Sequence, residues 1–345
     1  MGRRVGFARW RSEVASGGNR YDDTLAVELR RLGLDLREYD VAGAWPFPQA
    51  RDLERLAEAL TAEDEWLIDN IVASGAPEVI EAAVAAGRRV TILLHYFPAD
   101  DPTLSAPDRA RIEAAEARSV AAAHTIVVTS AWAGHEVSVR YGRSGCRTAY
   151  PGVDPAELAR GSLRGGHPPL LLWLARLTRV KDPLTFVEAL VHVKDRDWRA
   201  EIVGPDALDP ALSRQVRERV AEAGLAGRVQ VTGSREGDAL DAVWARTDLL
   251  VHTSRFENYG MVVTEALARG IPSIVPTGTG AVEAQRVGAV FTPGDADELA
   301  AVLRLWLTDE AMRDRWREDA AALRPHVLSW AWEDTARIVL SALAG

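Results

Sequence analysis

The chain has 345 residues, with 41 Lys+Arg against 50 Asp+Glu and a formal net charge of −9, which argues against a broad nucleic-acid-binding face. At 47% hydrophobic and 26% charged, the composition suits packed soluble domains, and the length suggests two of them. No apolar run approaches the roughly 18 residues of a membrane span, the first residues lack an apolar leader core, and the single cysteine, Cys146, excludes an internal disulfide and a thiolate zinc site, so a cytoplasmic protein without membrane contact is expected.

Short apolar runs alternate with amphipathic stretches from the start. In the first half, strands are predicted at Arg4–Ala8, Leu34–Tyr39, Trp66–Asp69, Val90–Leu94, Thr125–Val128 and Arg147–Tyr150. Tyr21, Leu25, Leu29 and Leu32 recur at helical spacing, Gly33 ends that helix, and Asn19 is the candidate cap for a start at Arg20. Leu53, Leu56, Ala57 and Leu60 repeat the helical pattern, and Pro77 suits a first helical position.

The second half has predicted strands at Leu170–Leu174, Ala200–Val203, Val229–Thr232, Leu249–His252, Ser273–Val275 and Ala289–Phe291. This alternation predicts an α/β protein of two Rossmann-like domains with parallel sheets covered on both faces. Pro151 to Pro155 and the Gly/Pro-rich stretch 161–169 form the linker candidate. The expected domains are 1–152 and 153–325, with a helix at 326–345 returning to the first domain.

Ligands of open parallel sheets bind beyond the carboxyl ends of the strands. Four segments fall there. Arg176 and Lys181 stand between the strand ending at Leu174 and a helix whose cap is Asp182 and whose first residue is Pro183; a guanidinium forks onto phosphate oxygens and an ammonium acts as a point charge. Glu257 and Glu265 flank a predicted helix start near Gly260, where backbone N–H groups carry partial positive charge. An anion site between two hydroxyl-accepting acids matches a diphosphate bridging a ribose and a hexose. Gly17 and Gly18 follow the first strand and allow close approach of a ligand to backbone. His95 ends a strand and can orient an acceptor or help a proton leave. His252 also ends a strand and could contact a ligand, with a structural role as the first expectation. The remaining histidines show no metal-ligand spacing.

Taken together, these segments resemble the family 4 glycosyltransferases of the GT-B fold. The resemblance rests on Gly17 and Gly18, Val127 to Ser130, Pro151 to Asp154, Arg176 with Lys181, Val203 and Gly204, Val229 to Gly233, Glu257 and Glu265 with seven residues between them, and Val290 to Asp295. The chain departs from the common pattern at Tyr96, Pro151, Asp182, Thr253, Ser254 and Asn258. The resemblance implies a GT-B enzyme that transfers a sugar from a nucleoside-diphosphate sugar, with retention, and with neither a cofactor nor a bound metal. It implies a second domain in which Arg176 and Lys181 neutralise the diphosphate, Glu257 meets sugar hydroxyls and Glu265 meets the ribose. Backbone N–H groups of Asn258, Tyr259, Gly260, Met261 and Val262 would contact the donor, and Thr232 and Gly233 would line the base. The first domain would bind the acceptor, a small molecule or glycan, with Gly17 and Gly18 near the diphosphate and His95 near the reacting centre.

Arg9 and Trp10, in the loop after the first strand, and Tyr96, which follows His95, are candidate acceptor contacts. No enzymic nucleophile suggests itself for a double displacement, so front-face attack with the leaving phosphate taking the acceptor's proton is the expected course. Two other readings remain open: an epimerase or hydrolase acting on the donor alone, and a non-catalytic nucleotide-sugar-binding protein. A dinucleotide dehydrogenase lacks its glycine fingerprint here.

Overall fold

A computed structural model describes residues 4–11 and 16–345. In chain order the first half runs β1 (Arg4–Arg9), α1 (Gly17–Arg31), β2 (Asp35–Asp40), α2 (Ala50–Ala59), β3 (Glu65–Asp69), α3 (Asn70–Ala73), α4 (Pro77–Ala85), β4 (Arg89–Leu94), α5 (Ala106–Ala122), β5 (Thr125–Val128), α6 (Ala131–Tyr141) and β6 (Arg147–Thr148). The second runs β7 (Leu170–Leu174), α7 (Pro183–His192), β8 (Arg199–Val203), α8 (Pro210–Glu222), β9 (Val229–Gly233), α9 (Gly237–Arg246), β10 (Leu249–Val251), α10 (Met261–Leu267), β11 (Ser273–Pro276), α11 (Ala281–Ala284), β12 (Gly288–Phe291), α12 (Ala296–Thr308) and α13 (Glu310–Leu328). Helix α14 (Trp332–Ala344) closes the chain.

Two parallel six-stranded sheets result, ordered β2-β1-β3-β4-β5-β6 and β12-β11-β10-β7-β8-β9. The central strands are mostly apolar, as expected where helices cover both faces, whereas the edge strands β2 and β6 are largely polar. The strand order reverses between β1 and β3 in the first sheet and between β7 and β10 in the second, and at such points the loops part to leave a crevice.

The chain divides into two compact units, Met1–Gly152 with Ala331–Gly345, and Val153–Trp330. Helix α13 runs through Pro325 and keeps Val327 in an apolar group with Val153, Leu267 and Ala268, so the expected boundary at 326 lies inside this helix. Helix α14 packs on α1 within the first unit: Trp332 meets the Tyr21 ring edge-on at 5.3 Å, and Thr335 Oγ1 donates to the Tyr150 carbonyl at 2.6 Å. Trp66, Ile68, Ile92 and Val128 are buried in the first unit's core. In the second unit Trp173, Phe186, Trp198, Leu303 and Trp306 do the same. Among the described residues no helix is long and apolar enough to cross a membrane.

Helix α1 begins earlier than the sequence suggested. Ser16, not Asn19, is its N-cap, accepting from the Asn19 N–H at 3.1 Å, so Gly17 and Gly18 are the first helical residues instead of loop residues. A serine hydroxyl is as good a cap as an asparagine amide, and glycine is tolerated in a first turn whose N–H groups need no intrahelical partner.

Candidate functional site

In the second unit the site is built at the sheet's reversal point from the loop after β7 and the loop after β10. Asp182 turns the first loop into α7 with φ 48° and ψ 60°, a left-handed conformation in which a non-glycine residue is uncommon. Its carboxylate compensates by capping the helix, accepting from Thr185 Oγ1 at 2.7 Å and Thr185 N at 3.3 Å, and pairs with Arg255 at 2.9 Å. The aspartate thus fills a position whose backbone suits glycine, which explains the departure at this residue.

The second loop is stitched to the first. Arg255 N donates to Val180 O at 2.7 Å, and the Thr253 hydroxyl lies 2.7 Å from Asp182 O and 3.0 Å from Lys181 O. The Trp173 indole donates to that hydroxyl at 2.8 Å. These bonds bring together side chains far apart in sequence. Lys181 Nζ donates to Glu257 Oε2 at 2.5 Å, and His252 Nε2 lies 3.1 Å from the same oxygen. The other carboxylate oxygen, Oε1, has no hydrogen bond among the described residues. Burial alone would push the Glu257 carboxyl up, but the Lys181 charge and the His252 contact overcome it and hold the group well below the usual carboxylate range. The result is a fixed anionic acceptor with one oxygen open.

The backbone of this loop is braced from behind. Gly280 N donates to Glu257 O at 2.7 Å, and a Cβ on Gly280 would stand 1.9 Å from the Asn258 carbonyl oxygen, so only glycine allows the approach. Gly260 caps α10 with φ 85° and offers no side chain to the amides of Met261 and Val262. Asn258 is buried, and its Nδ2 is among the buried polar atoms without a partner. Tyr259 is half-buried beside it. Arg176 is half-buried in the β7–α7 loop, and Glu265 is half-buried within α10, its carbonyl accepting from Arg269 at 3.0 Å. Thr232 and Gly233 end β9, two strands from β7.

In the first unit, His95 follows β4 and its Nε2 stands 2.7 Å from Asp22 Oδ1 on α1. A Cβ at Gly18 would stand 3.9 Å from the ring, and the Tyr21 ring meets it edge-on at 4.9 Å. The His95 backbone N–H donates to Asn70 Oδ1 at 2.9 Å, while Asn70 Nδ2 donates to Tyr96 O at 2.7 Å and to Glu116 Oε1 at 3.2 Å. Glu116 also accepts from Ser74 Oγ and Tyr141 OH. Burial would strip the proton from His95, but Asp22 and Asp69 reverse this and raise its pKa. Burial and the Asp22 charge push Asp69 to about 7, and burial pushes Glu116 to about 7 against its three hydrogen bonds.

The acceptor candidates fare unevenly. Arg9 is buried rather than presented to a ligand: it forms ion pairs with Glu38 and, at 2.9 Å, with Asp23. Trp10 is half-buried against the first core, while Tyr96 is exposed. Sequence reasoning passed over Asp22 and took His252 for structural. Asp22 shares the buried face of α1 with Leu25, Ala26 and Leu29, and an acid on an apolar stripe was the available signal. Glu116 carried the same mark, sharing the buried face of α5 with Ile112 and Val120, whereas Asn70 did not. Among the described residues no group of three or more His, Cys, Asp or Glu is placed to hold a metal ion.

Two Rossmann-like units with these strand orders define a protein of the GT-B fold. The solved structures agree: sucrose-phosphate synthase from Thermosynechococcus elongatus superposes with a TM-score of 0.80 over 98% of each chain at 19% identity. Anabaena Alr3699/HepE in complex with UDP gives 0.75 over 99% of each at 17%. Residues 154–322 match the family Glycosyl transferases group 1, which makes the second unit similar to that family. Among curated relatives, the alpha-D-kanosaminyltransferase of Streptomyces kanamyceticus is 27% identical over 160 residues, 45% of this chain and 40% of that protein. A D-inositol 3-phosphate glycosyltransferase of Paenarthrobacter aurescens is 29% identical over 254 residues, 68% of this chain and 61% of that protein. The match spans about half the length of these relatives.

Proposed function

We propose that this chain is a retaining, metal-independent glycosyltransferase of family 4 that moves a hexose-type sugar from a nucleoside-diphosphate sugar to a hydroxyl of a small soluble acceptor in the cytoplasm. The observation that carries the reading is the Glu257 carboxylate, kept ionised by Lys181 and His252 on one oxygen and open on the other, at the second sheet's reversal point. Such a group accepts hydrogen bonds from sugar hydroxyls without needing to be deprotonated first.

On this reading Arg176 and Lys181 face the diphosphate, Glu265 takes the ribose hydroxyls, and the backbone of Asn258 to Val262 meets sugar and phosphate. An ammonium has three donors. Lys181 gives one to Glu257, and the other two serve phosphate oxygens. Charge grows on the leaving diphosphate as the glycosidic bond breaks, and donors already in place stabilise it. The acceptor hydroxyl attacks from the same face, and the departing phosphate takes its proton. The relatives named for D-inositol 3-phosphate support a cyclic polyol as the acceptor class, and the relative named for kanosaminyl transfer supports an amino sugar as a candidate for the group moved. The Anabaena Alr3699/HepE structure in complex with UDP supports a uridine donor as the first choice to test.

Thermal-shift screening against UDP-, GDP-, ADP- and TDP-sugars identifies the donor, and product analysis with and without acceptor identifies the reaction. Arg176→Ala should lower the rate roughly 30- to 1,000-fold. Glu265→Ala should weaken binding of the free nucleoside diphosphate as well as the donor, whereas Glu257→Ala should weaken mainly sugar-bearing ligands. Calorimetry with the reverse ranking contradicts these roles. An epimerised or hydrolysed sugar from donor alone overturns the transferase reading.

A further inference from the structure

We propose that Asp22 is a positioning residue for the first unit's reaction chemistry, fixing the ring orientation and tautomer of His95. This rests on the reading that His95 serves the acceptor. The geometry is specific: Asp22 Oδ1 is 2.7 Å from His95 Nε2, both side chains are at least nine-tenths buried, and Nδ1 has no partner among the described residues. The His95 backbone is anchored separately through Asn70. A carboxylate bonded to Nε2 requires the proton there, which leaves Nδ1 as the atom that meets a ligand. When the ring is neutral, Nδ1 accepts from an acceptor hydroxyl. When it is charged, Nδ1–H donates instead.

The groups facing the ring are Asp22 and Tyr21 from α1, Asp69 at the end of β3 and Asn70 from α3. Both acids favour the charged ring. Asp22 alone bonds to it directly, and its place on α1 ties the ring to the helix that begins at Gly17.

The test is Asp22→Asn, with Asp22→Glu as the restoring variant and His95→Gln as the background that assigns the His95 resonance. Histidine NMR titration of the whole chain should show His95 losing its proton at lower pH in Asp22→Asn, with the Nδ1-protonated tautomer appearing. Turnover should fall about 10-fold or more, with the acid limb of the pH–rate profile displaced and donor KM unchanged. Asp22→Glu should recover part of the loss, and Asp22→Asn should add nothing in the His95→Gln background. An unmoved His95 titration, or an equal loss of rate in that background, overturns the proposal. A displaced titration with an unchanged rate upholds the Asp22–His95 link and removes His95 from the reaction.

Discussion

Lys181→Met isolates the interaction on which the second unit's site depends. At 2.5 Å, the Lys181–Glu257 pair has a gross Coulomb attraction of roughly 7 kcal/mol at an effective dielectric constant of about 20. Desolvation of both ions offsets much of that. Removing one partner of a fully buried pair costs about 3–5 kcal/mol. Here the side chains retain 21% and 15% exposure and His252 still touches the orphaned carboxylate, so about 2–3 kcal/mol is expected. Glu257→Gln keeps the shape and leaves the lysine with more access to water, and should cost about 1–2 kcal/mol. The double variant has no unpaired charge and should be less destabilised than the sum of the two by about 1.5 kcal/mol or more. Urea unfolding of the four proteins at neutral pH measures this cycle. Single-variant losses that add to within about 0.5 kcal/mol would show that the contact contributes no coupling, and the argument for a pre-ionised Glu257 would fail with it.

Three further expectations follow from particular contacts. Glu116 has its pKa raised from 4.5 to about 7, so its contribution is full below the ordinary carboxylate range and is lost as pH rises through about 7; between about pH 4.5 and pH 8 the wild type should lose about 3 kcal/mol more stability than Glu116→Gln, and parallel urea curves for the two proteins across that range would refute this. Gly280→Ala places a methyl group 1.9 Å from the Asn258 carbonyl oxygen and should cost about 1–3 kcal/mol while weakening donor binding; calorimetric unfolding and donor titration check both, and an unaltered melting temperature counts against the brace. His252→Leu removes one of two contacts holding the Glu257 carboxyl low, so that carboxyl should titrate at higher pH, and donor binding should fail at a higher pH as the medium is acidified. Identical acid limits for donor binding in the two proteins would assign Glu257's ionisation to Lys181 alone.

The strands were legible because a buried parallel strand leaves little choice of residue. Thr125–Val128 and Leu170–Leu174 appear with the limits expected, and the other strands differ by a residue or two at their ends. Strand β6 stops at Thr148, and beyond it the Ala149 and Tyr150 carbonyls are taken by the hydroxyls of Tyr21 on α1 and Thr335 on α14. The Glu257 loop and the helix after Gly260 were also legible, since a left-handed glycine, an apolar helical run and two acids leave a local record. Long-range partners were not. Lys181 and Glu257 meet only because β10 lies beside β7, and nothing in either segment says that the lysine spends a donor on the acid. Arg9 read as an acceptor contact because its neutralising acids, Glu38 and Asp23, belong to β2 and α1. Asp182 could be read as a cap, but its left-handed backbone became visible only with the loop in place.

The two units hold their chemistry by different physical means, and this sets how each responds to pH. In the second unit the loops are fixed by backbone bonds and by Thr253, and the one acid at the centre is kept ionised well below neutrality. Small pH changes near 7 leave its charge unaltered. In the first unit a histidine raised in pKa sits beside an aspartate at about 7, and a second acid at about 7 lies behind the asparagine that anchors the histidine's backbone. A proton entering or leaving there changes both the charge facing His95 and the network under it. On the proposed reading, donor binding is therefore indifferent to pH around neutrality, while the step that involves the acceptor is not. The separation follows from burial: carboxyls buried without a cation move toward neutrality, whereas the one given a lysine does not.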